Sequence, residues 1–310
     1  MSVAIIFPGQ GSQTPGMLHH LLDHPVVART LDEISEALHS DVRTFDSEEC
    51  LKSDVSVQIA LLAAGVATAR ALIAQGLRPA AVAGLSVGAF AAAVVAGVLV
   101  LHDAVELVRL RAEQMTKLYP TGFGLSAIIG LSELQVTAIV EDVSSGQAPV
   151  FVGNINAPRQ IVIGGADAAM DRVLGEARRQ GASKAVRLHV SVPSHCPLLQ
   201  PVASLIAQRM SSLNLSAPRI TYVANVNARE MNTKEAIAGD LANNIAHGVR
   251  WYDATLVLQE LGCNLFLEMP PGHVLSDLAR ENLSDVNSVP INIDVLPRVL
   301  RLAKLEDALT

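Results

Sequence analysis

Aromatic residues are scarce in this 310-residue chain, which has one Trp, three Tyr and six Phe. Cysteine is scarcer still, with only Cys50, Cys196 and Cys263. Odd in number and widely spaced, they suit reduced thiols and exclude a disulfide framework or a zinc ribbon, so no metal is expected. Charged residues make up 17% of the chain, and 30 Asp and Glu against 23 Lys and Arg leave a net charge of −7. No basic run is available to neutralise phosphates, so nucleic acid is not an expected partner. The first residues lack a positively charged stretch followed by a long apolar one. They do not read as a signal peptide, and a cytoplasmic location is expected.

What the chain has in quantity is apolar. Half of its residues are hydrophobic, the mean hydropathy is +0.35, and residues 79–101 run 23 positions without a charge. That length is enough to span a bilayer. The stretch is mostly Ala, Val and Gly, contains Gly84, Ser86 and Gly88, and has no flanking block of Lys or Arg. It reads as a buried strand, turn and helix, with no membrane partner.

Short apolar runs alternate with helical stretches along the whole chain, the pattern of an α/β protein. A strand over 3–7 leads into Pro8-Gly9-Gln10-Gly11-Ser12-Gln13, whose glycines let the backbone approach a ligand. Helices are predicted over 55–75, 87–96 and 103–117, the last capped by Asp103, with a strand over 80–83. From residue 122 the units shorten: strand 126–129, helix 133–140, strands 150–153 and 160–164, helix 167–180, strand 185–188. This β-α-β-β-α-β order predicts a ferredoxin-like small subdomain over 122–190, inserted into a core made of 1–121 and 191–310. In the core, helices over 198–211 and 234–246 precede a strand over 264–268 and terminal helices.

Gly84-Leu85-Ser86-Val87-Gly88 lies between a predicted strand and a predicted helix. That context suits a nucleophile elbow, in which a tight turn exposes the serine Oγ at a helix N-terminus and makes the Val87 N–H a candidate oxyanion donor. An ordinary glycine-rich turn with a bystander serine has the same residues. A nucleophilic serine needs a base. Of nine histidines, His19, His20, His24, His39 and His102 read as solvated, leaving His189, His195, His247 and His273. His195 stands out because Val192-Pro193-Ser194-His195-Cys196-Pro197 brackets it with prolines that restrict the backbone. A loop histidine satisfied by backbone groups is the plainer alternative. Arg109 and Arg111 are two apart on a helix, so at most one of them enters a site there.

The motifs Phe7-Pro8-Gly9-Gln10-Gly11-Ser12-Gln13, Gly84-Leu85-Ser86-Val87-Gly88, Leu110-Arg111-Ala112-Glu113-Gln114-Met115, Asn154-Ile155-Asn156-Ala157-Pro158 and Val190-Ser191-Val192-Pro193-Ser194-His195-Cys196-Pro197 occur in the order seen in malonyl-CoA:acyl carrier protein transacylases, and the chain resembles that family from residue 4 to about 280. The resemblance implies an α/β-hydrolase-like core with a ferredoxin-like insert. It also implies Ser86 as the acylated nucleophile, His195 as its base, and the Gln10 and Val87 N–H groups as the oxyanion hole. By the same token Arg111 grips the free carboxylate of the acyl group, Asn244 stands where an amide residue orients the histidine through a carbonyl oxygen, and Gly9 and Asn156 join the substrate site. Malonyl-CoA and an acyl carrier protein are the implied partners, and no cofactor is implied.

Leu85 and Val87 depart from the His and Leu that flank the serine in fatty-acid-synthesis members. Gly84-Leu85-Ser86-Val87-Gly88-Ala89-Phe90 and Tyr119-Pro120-Thr121-Gly122-Phe123-Gly124-Leu125 look more like the epsilon subunit of malonate decarboxylase. The expected activity is therefore malonyl transfer as that subunit, with a fatty-acid-synthesis transacylase as the alternative. Two further rivals are a serine hydrolase or thioesterase using His247 or His273, and a silent scaffold subunit. Lys184, Arg187 and Arg159 are candidates by position for a carrier-docking patch.

Overall fold

The computed structural model describes residues 2–292. Residues 293–310, the end of the predicted core segment together with any terminal helix there, lie outside the described residues. The first part of the chain forms β1 (Ser2–Phe7), α1 (Pro25–Leu38), α2 (Asp54–Ala74), β2 (Ala81–Gly84), α3 (Gly88–Val95) and α4 (Leu101–Leu118). Then come β3 (Phe123–Ile129), α5 (Glu133–Val143), β4 (Val150–Ala157), β5 (Gln160–Ala166), α6 (Asp167–Arg179) and β6 (Lys184–Arg187). The remainder is α7 (Gln200–Ser211), β7 (Thr221–Val223), β8 (Glu230–Met231), α8 (Lys234–Asn243), α9 (Trp251–Glu260), β9 (Cys263–Glu268), α10 (Val274–Asn282) and β10 (Asn287–Pro290). The protein is of the α/β class.

A six-stranded sheet in the order β10-β9-β1-β2-β7-β8 carries the first and last parts of the chain. All its pairs are parallel except β7 with the short edge strand β8. A parallel sheet covered on both faces needs strands apolar on both sides, and β1 meets that need with Val-Ala-Ile-Ile-Phe over 3–7. Val3, Ile5 and Phe7 pack with the helices α1 to α4, while Ala4 and Ile6 face Trp251 of α9 and Leu275 of α10. The central helix α2 is long and apolar enough to cross a membrane, but its apolar residues are buried around its whole circumference by the protein itself. The chargeless stretch 79–101 is no single span: it divides into β2, a turn, α3 and a second turn at Gly97 before α4.

The second sheet has the order β4-β5-β3-β6 and is antiparallel throughout. Its side chains alternate as strand geometry requires. Ile128, Ile155, Ile161 and Ile163 pack under α5 and α6, while Leu125, Ala127, Asn154, Asn156 and Val162 face a cavity shared with the large sheet. The two units are stitched together by backbone bonds from Ile155 N–H to Val249 O and from Val249 N–H to Gly153 O, each 2.8 Å.

Several elements differ from the sequence expectation. Helix α4 begins at Leu101, with Val100 as an N-cap that makes no side-chain bond. Asp103 instead sits in the first turn, where its charge complements the helix dipole. Helix α1 was not anticipated, because its N-cap is His24, whose ring nitrogen accepts the Val26 N–H, with Pro25 following. Strands β7 and β8, of three and two residues, are too short to show a clear period, and strand β10 and helix α9 were not expected either.

Candidate active site

Strands β1 and β2 are neighbours in register, with Phe7 beside Gly84, so the loops leaving their carboxyl ends meet. Parallel sheets bind ligands at that end. The β2–α3 turn is sharp enough to put Ser86 in the left-handed region at φ 56°, a conformation that costs a non-glycine residue roughly 1–3 kcal/mol. Its flanking glycines are obligatory for space. A Cβ on Gly84 would lie 2.1 Å from the Gly88 carbonyl carbon, and one on Gly88 would lie 2.3 Å from the Phe7 oxygen. Gly9 packs the preceding loop against the same turn, since a Cβ there would stand 2.8 Å from the Leu85 oxygen.

His195 faces Ser86 from the loop between β6 and α7, also left-handed at φ 64°. Its backbone N–H donates to Ile245 O at 2.8 Å, and its Nδ1 lies 2.6 Å from the main-chain oxygen of Asn244. A carbonyl only accepts, so Nδ1 carries the proton and Nε2 is left as an acceptor 2.8 Å from Ser86 Oγ. Burial, and then the positive charge of Arg111, push the imidazole down to about 4. The ring is therefore neutral at neutral pH. The contact of Asn244 with the histidine is made by its main chain; its side-chain Nδ2 donates instead to Ser86 O at 3.3 Å.

Arg111, on α4, is 2% exposed. Its Nη1 donates to Gln58 Oε1 at 2.5 Å and its Nη2 to Ser86 Oγ at 3.0 Å. Burial lowers the guanidinium to about 10, opposed by Asp54, so it stays charged at neutral pH. Arg109 points outward, 4.0 Å from Glu113. The Gln10 side chain donates to Asp54 Oδ1 at 2.5 Å, anchoring its loop to the start of α2. Among the described residues, neither the Gln10 nor the Val87 backbone N–H has a hydrogen-bond acceptor.

Gly9, Gln10, Ser86, Val87, Arg111, Asn156 and His195 line one cavity of about 200 Å³, whereas Asn244 stands behind it. The Asn154 and Asn156 side-chain oxygens are buried there with no partner among the described residues. His247 and His273 are elsewhere, bonded to Asn243 O and to Asp277. Neither ring hydrogen-bonds Ser86. Two of the three cations offered for docking are occupied: Arg187 pairs with Asp167, and Arg159 folds back onto the Gly130 carbonyl. Gln58 and Asn225 were missed. Gln58 carried a signal, a lone amide inside an otherwise apolar helix; Asn225, which accepts the Ser86 N–H at 3.0 Å, carried none.

The model of the acyl transferase domain matches residues 4–302. This chain belongs to the acyl transferase family. Among similar members, the malonyl CoA-acyl carrier protein transacylase of Haemophilus influenzae is 36% identical over 297 residues, covering 93% of this chain and 95% of the relative. The solved malonyl CoA-acyl carrier protein transacylase of Coxiella burnetii superposes with a TM-score of 0.93 at 35% identity, with 97% of each chain covered. A malonyl-transacylase solved in complex with its type II PKS acyl-carrier protein also gives 0.93, at 34% identity, covering 97% of this chain and 100% of its own. These acyl transferases are named as transacylases, which favours the plain transacylase over the malonate decarboxylase subunit expected from the elbow variant.

Proposed function

We propose that the protein is a malonyl-CoA:acyl carrier protein S-malonyltransferase of the fatty-acid-synthesis type, working in the cytoplasm through a malonyl-serine intermediate. The observation that carries this is the convergence of the His195 Nε2 and Arg111 Nη2 on one hydroxyl, Ser86 Oγ. A base alone would suit any acyl group. A buried guanidinium beside the nucleophile suits an acyl group with its own carboxylate, because the planar fork pairs a charge that is otherwise costly to bury. In a malonyl group one methylene separates the two carbonyl carbons, short enough for Ser86 to attack one while Arg111 holds the other.

His195 takes the Ser86 proton as Oγ adds to the thioester carbonyl, and the oxyanion is received by the Gln10 and Val87 N–H groups. The tetrahedral adduct collapses, the carbon–sulfur bond breaks, and the coenzyme A thiolate leaves with the proton from His195. The carrier thiol then gives its proton to His195 and adds to the malonyl ester; the adduct collapses, the bond from carbon to Ser86 Oγ breaks, and Oγ takes that proton back from His195. Gly9 and Asn156 complete the acyl site. Helices on both faces of the large sheet support an α/β-hydrolase-like core of 1–121 and 191–310. The order β4-β5-β3-β6 supports a ferredoxin-like subdomain over 122–190.

Mass spectrometry after incubation with malonyl-CoA tests the intermediate: a malonyl adduct on Ser86 is expected, and its absence rules the mechanism out. Carrier-bound malonate should exceed free malonate; the reverse would make the protein a hydrolase. Comparing a fatty-acid-synthesis carrier with one bearing the longer CoA-derived arm identifies the acceptor.

A further inference from the structure

Ser86 is held in its left-handed turn by groups that no part of the acyl-transfer chemistry requires. The buried amide of Asn225 spans the elbow: Oδ1 accepts the Ser86 N–H at 3.0 Å, while Nδ2 donates to Gly84 O at 2.9 Å. Asn225 is in turn fixed by Asp240 of α8. The buried Asp240 carboxylate accepts the Asn225 N–H at 3.0 and 3.1 Å, the Val226 N–H at 3.1 Å and the Tyr222 hydroxyl at 2.8 Å. A buried carboxylate is an expensive way to hold a loop unless the placement matters.

Asp240 and Asn244 are four residues apart and so share one face of the last turn of α8 and the residue that ends it. Asn244 gives its main-chain oxygen to His195 Nδ1 and its side-chain Nδ2 to Ser86 O. Nucleophile and base, which come from loops 109 residues apart, are thus both referenced to a single helical turn. The Ser86 peptide is gripped on its N–H side through Asn225 and on its carbonyl side by Asn244.

We propose that the end of α8 sets the alignment between the Ser86 nucleophile and the His195 base, with Asn225 and Asp240 as positioning residues, resting on the acyl transfer proposed above. The amide bridge keeps Oγ in line with Nε2 and turns the Val87 N–H toward the developing oxyanion. A misplacement on the scale of 1 Å costs about 10²-fold in rate. Arg111 is carried by α4 and held by Gln58 of α2, so neither Asn225 nor Asp240 bonds the guanidinium that receives the substrate carboxylate.

The test is Asn225→Ala, with the isosteric Asn225→Asp and Asp240→Asn alongside. For Asn225→Ala the expected result is a kcat about 10²-fold lower with the KM for malonyl-CoA within about 3-fold of wild type. Asp240→Asn, which preserves part of the network, should lose about 10-fold in kcat. Labelling of Ser86 by a fluorophosphonate should slow in parallel, and it reads the alignment whatever the natural acyl donor is. A wild type that takes the fluorophosphonate but no malonyl group refutes malonyl transfer while leaving the alignment measurable by labelling. Variants that melt earlier yet keep kcat and labelling within about 2-fold, or that change KM alone, overturn the proposal. Should Asn225→Ala fail to fold, the two isosteric variants decide by the same readouts.

Discussion

The two sheets enclose one cavity and furnish it differently. The parallel sheet and its helices deliver Ser86, Gln10 and Arg111, each fixed by a hydrogen bond to another element. The antiparallel sheet delivers a wall, Leu125, Ala127 and Val162, with two amides whose oxygens are unpaired among the described residues. His195 stands on the connection between the two units and is fastened to the large one. Reacting groups are immobilised where the sheet is buried on both faces; the face that shapes the cavity is one that needs only to be apolar and the right distance away. Arg111 apart, which holds the substrate carboxylate, changes on the large sheet should therefore act on turnover, and changes on the small sheet on substrate affinity.

The sharpest way to break this contrast is Ser86→Ala, which should lower transfer on the order of 10⁴-fold or more with KM little changed. His195→Ala should follow at about 10²–10⁴-fold in kcat. Steady-state kinetics with malonyl-CoA and a carrier measures both. Arg111→Ala comes next. Malonyl kcat/KM should fall about 10²-fold, matching the roughly 3 kcal/mol of a charge-assisted pair, while acetyl transfer is kept or raised. Unchanged malonyl transfer would move the carboxylate to another cation.

A pH profile follows. The base works only when neutral, and with its imidazole at about 4 the acid limb of kcat/KM should fall near pH 4 rather than near 6.5. Burial is the main cause and Arg111 the second, so Arg111→Ala should move that limb upward in pH; a limb that stays put would assign the whole shift to burial. The smallest effect belongs to the small sheet: Asn156→Ala should raise the KM for malonyl-CoA about 5-fold, the value of one hydrogen bond of about 1 kcal/mol, with kcat within about 2-fold. A larger loss in kcat would put the small sheet into the chemistry and erase the distinction.

The order of the main elements was legible because strands such as 3–7 and helices such as 55–75 are long and apolar enough to show a period. The proposed nucleophile and base stood out for local reasons: glycines around Ser86 and prolines around His195. What holds them was invisible. Asn225 reaches Ser86 across 139 positions of sequence and Asn244 across 158, and an asparagine in a loop looks the same whether it braces an elbow or faces solvent. The amide at 244 was anticipated only by resemblance, and the carbonyl His195 uses is the main-chain one. The boundaries of α4 and the existence of α1 were misjudged because capping there is done by a histidine and a bare valine rather than by Ser, Thr, Asp or Asn.

Ser86 and His195, 2.8 Å apart, are both wound into a backbone region that glycine enters freely and other residues do not. Exchanging either for glycine would relax the turn while abolishing the chemistry. Folding stability and activity thus pull in opposite directions at these two positions. In a lineage no longer selected for transfer, these are the first places where drift would run downhill.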